Sequence, residues 1–348
     1  MSFNALDTHT LLGIMQKVKK FDPLFLMLFF PNAFAFETEE IMFDKLTDET
    51  VDLAAFVSPE VAGKILHDRG GELRAFKPAY VKPKHEVTNN HKFQRKAGEA
   101  IGGSVSPAAR RLATLADHMR KQDALILHRE EWMAVQVVLF GSVIVEGDGY
   151  PTQQVDYQRS ADNQRTLIGG AKWDTVDPLT YDPTEDIENW ADHASGTVDI
   201  IIMSAKNWSL FRTFKGVKEE LERRHGSTSR LKMAPADLGK IVSSKGFFGE
   251  VEILVYKGEY IDPKTKVKTR FVPDEYIVLG STGHNGVRAY GAIKDAELNA
   301  NGLFEGERAP KHWLQKGDPA GEFTMTQCAP LPVPENGDAD AFVVIKTH

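Results

Sequence analysis

Residues 106–141 constrain the fold more than any other stretch. Ser106 is a good N-cap and Pro107 a good first helical residue; Leu112, Leu115, Met119, Ile126, Met133, Val137 and Phe140 then recur by three, four or seven up to a stopping Gly141. At 1.5 Å per residue this spacing predicts one helix roughly 50 Å long, longer than a small domain is wide. The other face carries Arg110, Arg111, Arg120, Lys121, Arg129, Glu130 and Glu131. The expectation is a girder, packed on one side and facing water or a partner on the other.

Ahead of it lies AFKPAYVKPKHEV, residues 75–87. Lys77-Pro78 and Lys82-Pro83 push each preceding residue out of the α region, and each proline removes a donor, so the segment is extended and not a central strand. Phe76, Tyr80 and Val87 need cover, while Lys77, Lys82, Lys84 and His85 do not. A copy of another chain is one source of that cover. Further upstream, FDPLFLMLFFPNAFAF is too apolar for solvent and reads as a docking arm, with Phe25, Phe29 and Phe30 at its centre.

Elsewhere the pattern predicts a short amphipathic helix over 8–18, a strand over 51–57 and a turn at Gly70-Gly71. It predicts a hairpin over 141–157 turning near Gly147 and Gly149, and a helix opened by Asp182-Pro183-Thr184-Glu185. Thr197 to Met203 reads as a buried strand followed by a helix from Ala205 to His225. Strands follow over 247–256, 269–272, 276–279 and 287–293, and a last pair flanks Asn336-Gly337, a strong hairpin signal. The class is α+β.

Chemistry is sparse. No Gly-Lys pair sits in a phosphate-cradling loop, GSTGHNG at 280–286 joins two strands, and neither a nucleophile elbow nor a zinc-protease motif is present. The acidic run from Asp182 to Asp192 reads as capping and a solvated face. No catalytic, cofactor-binding or metal-ligating residue is assigned, and the chain is not expected to be an enzyme. The single Cys328 excludes an intrachain disulfide framework. The longest apolar run, Leu24 to Phe30, falls far short of the ~20 residues of a membrane span, so no membrane role is expected. Net charge is −7, yet residues 68–96 hold eight Lys/Arg against three Asp/Glu, a +5 loop on a −12 remainder. Single-stranded nucleic-acid binding by that loop, stacking on Phe76, Tyr80 and Phe93, is the alternative function.

Apolar arm, basic extended loop, girder helix, compact module and closing strands together describe a chain built for assembly. FDPLFL (21–26), YVKPKHEV (80–87), YDPT with Asp186-Ile187-Glu188 (181–188), LFRTFKGVKE (210–219), DLGK (237–240) and GDPAGEFTMTQCAPL (317–331) carry a resemblance that spans nearly the whole chain. The sequence resembles the phage lambda major capsid family, which has the Hong Kong 97 capsid fold.

The resemblance implies an N-terminal arm (1–45), an extended loop lying over a neighbouring subunit (46–105), and a peripheral domain with spine helix and β-hairpin (106–184). It further implies a compact axial domain (185–312) and C-terminal strands returning to the peripheral domain (313–348). Function would be that of a major capsid protein of a tailed bacteriophage, self-assembling as pentamers and hexamers into an icosahedral head shell around packaged double-stranded DNA. Inter-subunit contacts would come from Phe25, Phe29, Phe30, Phe76, Lys77, Tyr80, Lys82, Lys84 and His85. Implied partners are a portal, a separate scaffolding protein with a maturation protease, a decoration protein, and DNA contacted without sequence specificity. The place would be the virion, after assembly in the host cytoplasm.

Overall fold

Pro107–Phe140 form a single helix. Ser106 Oγ accepts from the Ala109 N–H at 3.2 Å, and Gly141 closes the far end at φ 64°, its N–H on the Val137 carbonyl. The computed structural model describes residues 23–45, 72–88, 106–147, 149–219, 241–298, 306–317 and 320–348. The expected helix over 8–18, strand over 51–57 and turn at Gly70-Gly71 lie outside the described residues.

The polar face of the long helix is not wet along its length. Arg111, Gln122, Glu130 and Glu131 are buried there, because the strands Gly321–Gln327 and Pro330–Val333 and the short helix Leu24–Phe29 pack around it. Each buried charge has a specific partner. Arg111 bonds the Glu322 carboxylate at 2.7 Å, Glu130 takes Arg308, and Glu131 takes backbone N–H groups.

A six-stranded sheet forms the second main element, in the order Gln164–Thr166, Val343–Lys346, Tyr276–Gly280, Ile200–Met203, Val251–Tyr256 and Val242–Phe248. Its central strands are apolar on both faces, as a sheet covered on both sides requires. Alternation then divides them. Ile200, Ile202, Leu254, Tyr256, Val278 and Val344 face the long helix and Leu24–Phe29, whereas Ile201, Met203, Ile253, Val255, Ile277, Leu279, Val343 and Ile345 face Trp190, Trp208, Phe211 and Phe214. One sheet thus separates two cores.

Several sequence expectations are corrected here. The helix from Ala205 ends at Phe211 and resumes at 215–219, since the break turns Phe214 inward onto Trp173, 5.6 Å between ring centroids. Residues 247–256 are two antiparallel strands around Gly249 (φ 60°). Asn336 and Gly337 do adopt the positive φ of a tight turn, 54° and 64°, but no hairpin forms. Pro330–Val333 pairs with Val287–Tyr290, and Val343–Lys346 enters the six-stranded sheet. That last strand also pairs in parallel with Gln164–Thr166, so segments from either side of residues 185–312 join one sheet, whose inner face, Val344 included, meets the long helix. The hairpin Ser142–Gly147/Tyr150–Asp156 forms as expected.

Candidate inter-subunit surface

The residues expected to touch a neighbour fall into two groups. Phe25, Phe29 and Phe30 have no exposed surface and lie in this chain's own core: Phe25 packs 5.7 Å from Tyr256, Phe29 4.8 Å from Phe342, and Phe30 against His284. This corrects the reading of their segment as a free docking arm. A turn this apolar buries where it can, and the groove between long helix and sheet accepts it. Gly280 and Gly286 make the fit possible, for a Cβ on either would come within 3.3 Å of the rings of Phe29 or Phe30.

The extended segment is likewise held by its own chain. Glu72–Phe76 pairs antiparallel with Ile41–Lys45, Val81 bridges to Cys328, and Lys84–Glu86 pairs with Phe323–Met325. Phe76 is half-buried against the main core. Tyr80 donates its hydroxyl to the Ala292 carbonyl at 3.1 Å and accepts from the Lys294 N–H. Lys77 pairs with Glu39 at 2.9 Å, Lys82 lies 4.6 Å over the Tyr80 ring, and Lys84 sits 4.0 Å from the Phe323 centroid. Prolines that stiffen the segment therefore lay it along its own subunit.

His85 stacks on His118 of the long helix, 5.0 Å between centroids, and its Nδ1 accepts from Gln122 Nε2 at 3.1 Å. Burial and the nearby Lys121 depress its basicity. With its rings packed and its lysines on local partners, the described part of the segment offers no stacking platform for single-stranded nucleic acid, and Phe93 lies outside the described residues.

What remains open is a groove of about 890 Å³ between the long helix, the hairpin 142–156, residues 79–82 and the turn 260–264. Arg129, Trp132, Met133 and Gln136 form its floor, at the i, i+3, i+4, i+7 spacing that shares one helix face. Ile144, Tyr150, Tyr260 and Pro263 form its walls. Arg129 lies over the Trp132 ring at 5.1 Å and loses some basicity to burial. Around the groove, Ile144, Ile261 and Val267 are each more than half exposed. An apolar trough with exposed aliphatic walls suits another polypeptide better than a small polar ligand.

Comparison with known proteins decides what kind of polypeptide assembly this is. Residues 7–344 match the family Phage major capsid protein E. The chain belongs to that family. This capsid chain is 45% identical over 339 residues to the major capsid protein of Enterobacteria phage P21, covering 97% of the chain and 98% of its relative. It is 43% identical over the same length to the major capsid protein of Escherichia phage lambda. Its structure matches the crystal structure of a prophage capsid protein from Escherichia coli CFT073 with a TM-score of 0.79 at 37% identity, covering 99% and 100% of the two chains. A phage-related protein from Bordetella bronchiseptica RB50 shares the fold at a TM-score of 0.53 and 14% identity, covering 99% and 98%.

The α+β architecture is accordingly that of the Hong Kong 97 capsid fold. The protein is a structural component that forms the head shell of a tailed phage, and the nucleic-acid-binding alternative is set aside. Sequence reasoning missed the buried charges Arg111, Glu130, Glu131 and Glu322 and the partly buried Arg159 and Arg308. The adjacent pair Glu130-Glu131 inside an apolar helix repeat is the only signal that could have found any of them.

Proposed function

We propose that copies of this chain close as pentamers and hexamers, and that residues 46–63 of one copy seat in the groove of the next. Three observations support the reading. The groove is mainly apolar and open, and in its lining the cations Lys82, Arg129 and Lys264 outnumber the carboxylates Glu146 and Asp262. Residues 46–63 alternate Val51, Leu53, Ala55 and Val57 and carry Asp48, Glu49, Asp52 and Glu60 with no basic residue before Lys64, which suits that charge. Finally, Tyr150 on the groove wall donates to the Lys77 carbonyl at 2.5 Å, whereas Arg74 reaches the Asp156 carbonyl at the hairpin's other end. The strands 41–45 and 72–76 therefore run away from their own groove, and residues 46–71 join their far ends. Lys77, Lys82, Lys84 and His85 then act mainly by holding the loop's root, and their exposed parts meet the neighbour.

A separate scaffolding protein and maturation protease, a portal, a decoration protein and DNA held without sequence-specific contact complete the proposed particle, put together in the host cytoplasm. Many weak, nearly identical contacts suffice to close such a shell. The test is a cysteine pair, Val51→Cys with Ile144→Cys, in full-length chains imaged by negative stain. Cys328 is buried and gives little background. Shells with disulfide-linked chains are the expected result. Linkage confined to single chains, or shells with no linkage, would refute the groove assignment, and a strictly monomeric protein would refute assembly without further factors.

A further inference from the structure

Glu131 is a fully buried carboxylate without a cationic partner among the described residues. Oε1 accepts from the Phe25 N–H and the Tyr256 hydroxyl, both at 3.0 Å, and Oε2 accepts from the Leu26 N–H at 3.1 Å. Among the described residues, its other surroundings are apolar or neutral. The helix Leu24–Phe29 brings no titratable side chain, and the sheet brings only Tyr256, whose phenol burial holds well above its ordinary value. Phe271 lies behind Tyr256, 6.2 Å between rings. On the long helix, Glu130 turns away to Arg308, and His128, one turn back, is bonded through Nδ1 to the Ala124 carbonyl. The donors of Phe25, Leu26 and Tyr256, with a smaller contribution from the Leu24 N–H, are what offsets its desolvation.

We propose that Glu131 and the helix Leu24–Phe29 form a proton-coupled latch, in which the N-terminal segment seats on the long helix as Glu131 takes up a proton from water and loosens as that proton is lost. The neutral form keeps the geometry. A proton on Oε1 points at Tyr256 Oη and reverses that bond, while the carboxyl oxygens still face the Phe25 and Leu26 N–H groups. When the segment lifts, Glu131 meets water and returns toward its ordinary 4.5, whereas seated it titrates near 7, burial being the main cause. The seated state thus binds the proton more tightly. Seating is strongest below about 4.5, weakens about tenfold per pH unit as pH rises, and levels off above about 7.

Amide exchange on the full-length unassembled subunit tests it, with rates corrected for intrinsic pH dependence. Protection of the Phe25 and Leu26 amides should fall roughly 40-fold between about pH 5 and about pH 7 in the parent chain. In Glu131→Gln, which mimics the neutral acid, it should stay nearly flat. Tyr256→Phe removes a donor from the charged form, so its loss of protection should extend to higher pH. Parent protection unchanged over this range, or a Glu131→Gln profile that follows the parent's, would overturn the latch. Should Glu131→Gln not fold, a Tyr256→Phe profile identical to the parent's would do the same.

Discussion

Arg308 grips Glu130 at two points, Nη1 and Nη2 each 2.7 Å from one carboxylate oxygen. Nε of the same guanidinium meets Asp123 at 3.1 Å, so one side chain ties two turns of the long helix to the strand Ala309–Gln315. Glu130 is buried, and the pair matters mostly through what its rupture would leave behind. Arg308→Met should destabilise the unassembled subunit by about 3–5 kcal/mol in urea unfolding, because the buried Glu130 then loses its ion-pair partner. Adding Glu130→Gln to that variant should recover part of the loss. Arg308→Lys should fall between parent and Arg308→Met, a point charge being unable to serve both oxygens and Asp123 together.

The long helix stops where it does for a reason that two glycines can separate. Gly141 has φ 64°, and a Cβ there would lie 2.7 Å from Arg159 Cβ. Arg159 is itself the plug of the helix end, donating to the carbonyls of Val137 and Leu139 and, at 3.0 Å, to that of Ala339. Gly249 has nearly the same φ, 60°, with nothing within 4 Å. Gly249→Ala should cost the ~1 kcal/mol of left-handed backbone alone. Gly141→Ala should cost clearly more, since it must also displace Arg159 from the carbonyls it satisfies. Equal melting temperatures for the two variants would mean that Arg159 yields freely.

These two sites also mark what is legible in the sequence. Ser106, Pro107 and Gly141 are local signals, acting within a turn of their own position, and they place the helix ends correctly. The near-continuous apolar run up to Met203 is local too, and both faces of Ile200–Met203 prove buried. Asn336-Gly337 shows the limit: the turn conformation is local and is present, but pairing of the flanking strands depends on Val287–Tyr290 and Tyr276–Gly280, which lie tens of residues away. Apolar density at Phe25, Phe29 and Phe30 announces burial without saying by whom. Glu131 is decided by residues more than a hundred positions distant, so no window of sequence contains its role.

His85 gives a pH response opposite in sign to that of Glu131. Its basicity is depressed, by burial first and by Lys121 second. The folded state therefore binds a proton less readily than the unfolded chain. Its contribution is present above the ordinary value of 6.5 and is lost as pH falls through the lower folded value. A proton there would set an imidazolium against the His118 ring and near Lys121, loosening the strand Lys84–Glu86 from Phe323–Met325. Limited proteolysis within 77–88 should accelerate as pH drops from about 7 to about 5 in the parent chain. His85→Gln should flatten that dependence, and an unchanged profile would show that the strand pairing alone holds the segment.

Some proteins of this fold join their subunits covalently through lysine and asparagine, and this chain offers Asn336. It lies in the 3-10 turn Glu335–Gly337 at positive φ, which accounts for its presence without a cross-link. Boiled particles on a denaturing gel should give one band near 38.8 kDa, and a ladder of multiples would refute this.

Charge reversal at the root of the loop distinguishes the chain's own contacts from those between copies. Lys77 already serves Glu39, Lys84 covers the Phe323 ring, and Lys82 covers Tyr80. Changing all three to Glu moves the local balance by six units and places a carboxylate beside Glu39, which Lys294 still neutralises. The backbone pairing of 84–86 and the Tyr80 bonds do not depend on these charges, so the subunit should remain folded, with a melting transition close to the parent's. Between copies the change recurs at every contact, and exposed pairs, individually weak, add up over a shell. The variant should therefore sediment as small species at moderate salt and recover some shells at high salt, where the new repulsion is screened. Shells of normal yield at moderate salt would confine these lysines to the subunit's interior economy. Loss of the folded subunit itself would mean that the Lys77–Glu39 pair and the cation-aromatic contacts hold the loop more strongly than its backbone does.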